Sequence, residues 1–310
     1  MGRYAPAEEM LSAAREGRMA HGNLFTGPAG TGKRTLAALC AQTLLCKGAV
    51  ETRPCGSCPP CLRVLSGNHP DIIHIEPERS IGVDAIRALQ EQMAVRTYEG
   101  GWRAVSIHQA DKMTVQAQNA FLKGLEEPPP KTAFFLLADS TSALLPTILS
   151  RCRIMRFRLM TAEDAAAVLV RRGIAPERAE LLAQIAQGSV GHALEIDESE
   201  EYWNLRKRVS GALRALSGPG SVATAAMVLR DDRDRAKEIL DILECWARAR
   251  LLAQDGGREI PQGDMPNLHS GAFTSGADVL QSIIRARKRL ASNVSWQSAL
   301  EILFFDLIGG

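Results

Sequence analysis

The sequence predicts a doubly wound α/β domain in its first half and helices alone in its second. Three observations carry that expectation. A glycine-rich loop at residues 27–32 stands between a short apolar run, 23–26, and a helical run that begins near Leu36. Further runs of strand length and apolar character at 72–75, 103–107 and 132–138 alternate with helix-like stretches, the order that builds a parallel sheet covered on both faces. From Thr161 onward no run has strand character. With 310 residues the chain exceeds the usual size of one domain. The expected division is an α/β domain over 1–158, a small helical domain over 159–200 and an all-helical domain over 201–310.

Composition narrows the function classes. A hydrophobic fraction of 45% with 23% charged residues is that of a globular protein able to build a core. The net charge of +2 leaves no global field for nucleic acid, so any such contact must be a local patch. Aromatic residues at 5% argue against base-stacking platforms. No apolar run has the length of a bilayer span, and the first residues, with Glu8, Glu9 and Arg15, lack a signal-peptide core, so no membrane partner and a cytoplasmic location are expected.

Taken in order, residues 4–18 have helical composition, and His21-Gly22 closes that segment before the first strand. Then comes Gly27-Pro28-Ala29-Gly30-Thr31-Gly32-Lys33-Arg34-Thr35, which matches the phosphate-binding loop pattern at every position but one. Glycines let backbone N–H groups turn inward around a phosphate, the lysine reaches its outer oxygens, and the helix start adds its positive end. A glycine-rich turn that binds nothing is the competing reading. The departure is Arg34, where Ser or Thr would supply a magnesium ligand. Thr35 comes one residue, about a 100° turn, too late.

The helix after the loop runs to about Cys46, and Cys46, Cys55, Cys58 and Cys61 follow within a Pro- and Gly-punctuated insertion, 46–61. Four thiolates at this spacing can close a tetrahedron around structural zinc; free thiols or a redox pair are the alternative. Cys40, Cys152 and Cys245 stand apart and are expected to be small buried residues, and His69 and His74 to be structural. The helix entered at Ser80 puts Ile86, Leu89 and Met93 on one face.

The strand at 103–107 should be central, and its C-terminal end is where a phosphate-loop ATPase presents two acids. This chain has His108 and Gln109 there, with Asp111 two further on. Neither His108 nor Gln109 is an anionic oxygen ligand. A helix over 115–127 ends at Pro128-Pro129-Pro130, the strand 132–138 follows, and the α/β domain should end near Phe157. Gly173, Gly188, Gly218-Pro219-Gly220 and the stretch 256–276 break the helices beyond. Arg285, Arg287, Lys288 and Arg289 read as a solvated face before a DNA site, and Leu300, Leu303 and Leu307 as core or subunit contact.

Together the Gly27–Lys33 loop, the four cysteines, Asn68-His69-Pro70-Asp71, Asp111-Lys112-Met113, Asn119-Ala120-Phe121-Leu122-Lys123, Leu125-Glu126-Glu127-Pro128-Pro129 and Ser150-Arg151-Cys152 resemble the delta prime family of bacterial DNA polymerase III clamp-loader subunits, within the AAA+ group. The Leu-Glu-Glu-Pro-Pro run and the Ser-Arg-Cys triplet are the most specific of these motifs. The resemblance covers residues 4–191; beyond 201 it rests on helical content and on 293–307.

The resemblance implies an AAA+ phosphate-loop domain with a zinc knob, then a helical lid and a collar. In the related gamma or tau motor pattern, Thr would stand at 34, Asp and Glu at 108 and 109, and an arginine at 191, where this chain has Gly191. Gly27, Gly30, Gly32 and Lys33 are then a vestigial phosphate loop, with weak ATP binding and no hydrolysis expected. Arg151 matches the family's arginine finger, given in trans to a neighbour's ATP; a surface arginine after a strand is the plainer alternative. The resemblance further implies gamma or tau and delta subunits, the sliding clamp and, through the assembled complex, primed DNA as partners, within a DNA-directed DNA polymerase holoenzyme, a nucleotidyltransferase assembly at the bacterial nucleoid. The alternative is an active gamma/tau-like ATPase using Thr35 and Asp111 as displaced metal ligands.

Overall fold

The computed structural model describes residues 5–309 apart from 100, 257–261, 264, 268, 269 and 293. The chain divides into two compact units, Met1–Leu159 and Met160–Gly310.

The first unit runs α1 (Ala5–Arg15), β1 (Gly22–Thr26), α2 (Lys33–Leu45), α3 (Pro59–Leu65), β2 (Ile72–Ile75), α4 (Val83–Ala94), β3 (Arg103–Ile107), α5 (Val115–Glu126), β4 (Thr132–Ala138), α6 (Pro146–Leu149) and β5 (Arg153–Arg156). The five strands are parallel in the order β2-β3-β4-β1-β5. Successive side chains of a strand point to opposite faces, and the apolar residues divide accordingly. Leu24, Val105, Phe134 and Leu136 pack with Ile86 and Leu89 of α4 and Phe121 and Leu125 of α5. Their neighbours Phe25, Ala104, Phe135 and Leu137 pack with Met10 of α1 and Leu36, Cys40 and Leu44 of α2 on the other face. Because β1, β3 and β4 are buried along their whole length, they read in sequence as continuous apolar runs.

Two boundaries differ from the sequence expectation. The first helix ends at Arg15 rather than Arg18, and Tyr4 lies outside the described residues. The fifth strand, Arg-Ile-Met-Arg, buries only Met155, so its residues carry none of the apolar continuity that marks its neighbours.

The second unit contains α7 (Ala162–Arg171), α8 (Pro176–Ile185), α9 (Val190–Glu198), α10 (Glu200–Ala215), α11 (Val222–Met227), α12 (Ala236–Gln254), α13 (Gly276–Ala291) and α14 (Trp296–Leu307), with no strand among the described residues. One apolar cluster runs from Leu169 and Leu182 through Leu205 and Trp246 to Ile283 and Phe304. Leu300, Leu303 and Leu307 are wholly buried in it, so the stripe is core. Arg285 and Arg289 face Asp306, and Arg287 bonds Asp241 and Glu244 at 2.7 and 2.8 Å, so acids answer three of the four residues of the basic cluster. Part of the 256–276 loop and Asn293 lie outside the described residues. Cys40 is buried, whereas Cys152, between α6 and β5, and Cys245, midway along α12, are only half-buried.

Phe134 is fully buried on the central strand with its ring edge-on to Phe121, centroids 5.2 Å apart. Phe134→Ala should lower the unfolding free energy by about 3–5 kcal/mol, read from the shift of the urea transition.

Candidate functional site

Strand β1 delivers the loop directly into α2. Gly27 has φ 143°, and a Cβ there would lie 2.1 Å from the Phe157 carbonyl oxygen, so the close passage of the chain leaving β5 admits only glycine. Gly32 caps α2 at φ 93°, and the first turn of that helix presents N–H groups that have no helical acceptor. Lys33 is buried, and its ammonium turns back onto the loop. Nζ donates to the carbonyl oxygens of Gly27 and, at 2.8 Å, Pro28, and to Asp139 Oδ1 at 2.9 Å. These three acceptors match the three donors an ammonium has.

The positions where the motor pattern places metal-binding groups carry other chemistry. Arg34 Nη2 bonds Glu76 Oε2 at 2.5 Å, just beyond the end of β2. Thr35 is exposed. His108 extends β3, its N–H donating to the Ile75 carbonyl at 2.8 Å, and its Nε2 lies 3.1 Å from Ser106 Oγ. Burial, with the Arg34 charge nearby, pushes the His108 imidazole down to about 4, so it is neutral at physiological pH. Gln109 sits exposed in a left-handed conformation with φ 49°. Asp111 Oδ1 accepts the Asp139 backbone N–H at 3.4 Å. Among the described residues Asp111 belongs to no group of three or more His, Cys, Asp or Glu side chains placed to share an ion.

The four predicted cysteines do form such a group. The sulfurs of Cys46, Cys55, Cys58 and Cys61 all lie within 4.8 Å of one another and can hold a metal ion. A tetrahedral thiolate site with bonds of about 2.3 Å needs sulfurs about 3.8 Å apart, and Cys46 and Cys58 stand at 3.9 Å. Local backbone aims them: the N–H groups of Gly48 and Cys55 donate to Cys46 Sγ, and that of Cys58 to Cys55 Sγ. Hydrogen bonds from Ser57 and Cys58 bring the Cys55 thiol down to about 6, whereas burial pushes Cys61 up to about 12. The knob is tied to the domain by Gln42, which bonds the Cys61 carbonyl, and by Glu99, which pairs with Lys47 and Arg63.

Arg151 lies on the turn between α6 and β5, exposed. Its Nη2 meets Glu126 Oε1 at 2.7 Å and its Nη1 donates to the Thr147 carbonyl at 3.2 Å. In the second unit, Ser189 caps α9 by accepting the His192 N–H, and Gly191 offers no side chain there.

A family model described as DNA polymerase III, delta subunit, matches residues 4–161. The DNA polymerase III subunit delta' of Bacillus subtilis is 31% identical over 97% of this chain and 94% of its own length. The chain belongs to the DNA polymerase III delta' family. The tau subunit of the same organism is 29% identical, but over 60% of this chain and 34% of its own. A solved structure of a gamma subunit-related protein from Thermotoga maritima aligns with 96% of this chain and 98% of its own at 19% identity and a TM-score of 0.47.

Three residues that touch the predicted positions of this delta' family member had escaped sequence reasoning. Asp139 follows the buried run 132–138 directly, and an acid at the end of a central strand was the signal available. Glu76 reads only as the end of a strand, and Glu126 only as part of a motif. Each becomes meaningful through a partner far off in sequence.

His108 also sets a pH dependence. Its proton affinity is ordinary in the unfolded chain, near 6.5, and depressed to about 4 in the folded one. Between those values the unfolded chain takes up the proton first, so this contribution is complete above pH 6.5 and declines as the pH falls toward 4. His108→Gln should flatten the stability profile in that window, by at most about 3 kcal/mol across it, measured by urea unfolding at stepped pH.

Proposed function

We propose that this chain is a non-hydrolysing delta'-type subunit of a DNA polymerase III clamp loader, which helps place a sliding clamp on primed DNA. In this reading residues 1–158 are its AAA+ module, 159–200 a helical lid and 201–310 the collar that joins it in a cytoplasmic ring with delta and the gamma or tau motor subunits. Primed DNA is met through the ring. Gly27, Gly30, Gly32 and Lys33 are a phosphate loop without a working metal side, and Arg151 is the finger lent to the neighbouring motor.

One contrast supports the reading. Lys33 of this chain's own loop is buried and answered by Asp139 and two carbonyls. His108, where a metal-binding acid would stand, is buried and neutral. Arg151 is instead exposed and held by a half-exposed carboxylate. Such surface pairs contribute about 0–1 kcal/mol, so its guanidinium can exchange Glu126 for a phosphate at small cost. A guanidinium suits that task through its permanent charge and rigid fork of donors.

The cysteine group takes zinc in this proposal. Four thiols with no carboxylate or imidazole among them match the structural rather than the catalytic donor set. When bound, zinc supplies a cross-link; the chain's own part is to aim sulfurs from the end of α2 and the start of α3 at one point. The purified protein should carry one zinc per chain by atomic emission, with a lower melting temperature after chelation. A metal content near zero under reducing purification would remove the assignment.

Arg151 is the direct test of the ring role. Arg151→Ala should leave assembly with the motor and delta subunits intact by size-exclusion chromatography and lower the complex's DNA-stimulated ATP hydrolysis severalfold, with clamp loading falling in parallel. An unchanged rate in an intact complex would defeat the finger role.

A further inference from the structure

We propose that Asp139 serves as an internal anion that occupies the phosphate loop, holding Lys33 so that the loop is closed to polyphosphate ligands, and that a neutral side chain at 139 opens it. The inference goes beyond the ring role of Arg151, on which it does not depend.

Sheet register delivers the carboxylate. β1 and β4 are paired with Thr26 opposite Ala138, so the two strands end together and Gly27 and Asp139 emerge side by side. The Gly27 N–H donates to the Ala138 carbonyl at 3.2 Å, and the Asp139 N–H reaches Asp111 Oδ1 at 3.4 Å. The turn after β4 is thus held on both sides of Asp139. The side chain has a short reach to Lys33 Nζ, and it closes the distance to 2.9 Å.

Stoichiometry makes this contact an occupant rather than a bystander. Lys33 Nζ has three donors, and the Gly27 carbonyl, the Pro28 carbonyl and Asp139 Oδ1 take them. A β- or γ-phosphate seeking the same ammonium must displace one of the three. The Asp139 contact is the one a polyphosphate contests, since it alone is ionic and the Asp139 side chain is 56% exposed. Even when displaced, a carboxylate remains within hydrogen-bond reach of the incoming anion, and two like charges so close disfavour each other. Neither penalty applies to a neutral residue at 139, while the glycines and the N–H groups of the first turn of α2 stay as they are.

The recognised chemistry is a diphosphate or longer chain, whether on a nucleotide or free, and the readout is binding, because the metal side of the loop supplies no route to turnover. The full-length protein is titrated calorimetrically with ATP and, separately, with inorganic pyrophosphate, without magnesium. Wild type is compared with Asp139→Asn, Asp139→Thr and the double variant Asp139→Asn, Lys33→Met. Both single variants should bind both ligands at least about tenfold tighter than wild type, equivalent to about 1.4 kcal/mol, and Lys33→Met should remove the gain. Tighter binding of ATP alone would assign the gain to the base and overturn the proposal. So would folded single variants that bind no tighter than wild type, or a gain that survives Lys33→Met. Failure of both single variants to fold, by circular dichroism, would make Asp139 a structural counter-ion and overturn it equally.

Discussion

Strand β1 is buried at all five residues and paired on both sides, with β4 and with β5. A strand in that position must spend its backbone N–H and C=O groups on its neighbours, so its register is rigid. The glycine-rich loop and the groups beside it inherit that rigidity. The loop begins where β1 ends, Asp139 leaves β4 one residue past the pair Thr26 and Ala138, and the chain beyond β5 brings the Phe157 carbonyl against Gly27. Leu24 and Phe25, adjacent in sequence, anchor the two opposite faces of the sheet. A one-residue slip would exchange those faces and move the loop away from its partners.

The charged and titratable groups within this frame differ in how deeply they are held. Lys33 is buried with all its donors used, and His108 is buried and uncharged. Moving either group would expose a cost that the present arrangement avoids. Arg151 carries no such constraint. Its partner Glu126 ends α5 at the surface, and water can replace either side of the pair. Permanent charge and a forked donor set suit its guanidinium to phosphate.

Much of the fold was legible in the sequence because β3 and β4 are buried along their whole length and β1 leads into the loop, while the half-buried β2 still carries apolar residues at 72, 73 and 75. The runs 72–75, 103–107 and 132–138 emerged with the expected bounds. The fifth strand was not legible, since an edge strand of Arg-Ile-Met-Arg has neither continuity nor clear alternation. The cysteine group was readable from spacing alone, because a knob closed within sixteen residues leaves few ways to place four sulfurs. The departures at Arg34, His108 and Gln109 could be read as losses of chemistry, but not what replaced it. Glu76 lies 42 residues from Arg34, and Asp139 lies 106 from Lys33. Pairings of that range are set by strand order, which local patterns do not encode.

Holding a phosphate and cleaving one call on different groups. The direct measurement is phosphate release by the purified chain, alone, with magnesium and saturating ATP. A rate at the assay background, the same with Lys33→Ala, is expected. Robust turnover that requires magnesium and vanishes with Lys33→Ala would contradict the proposal that this chain does not itself hydrolyse ATP.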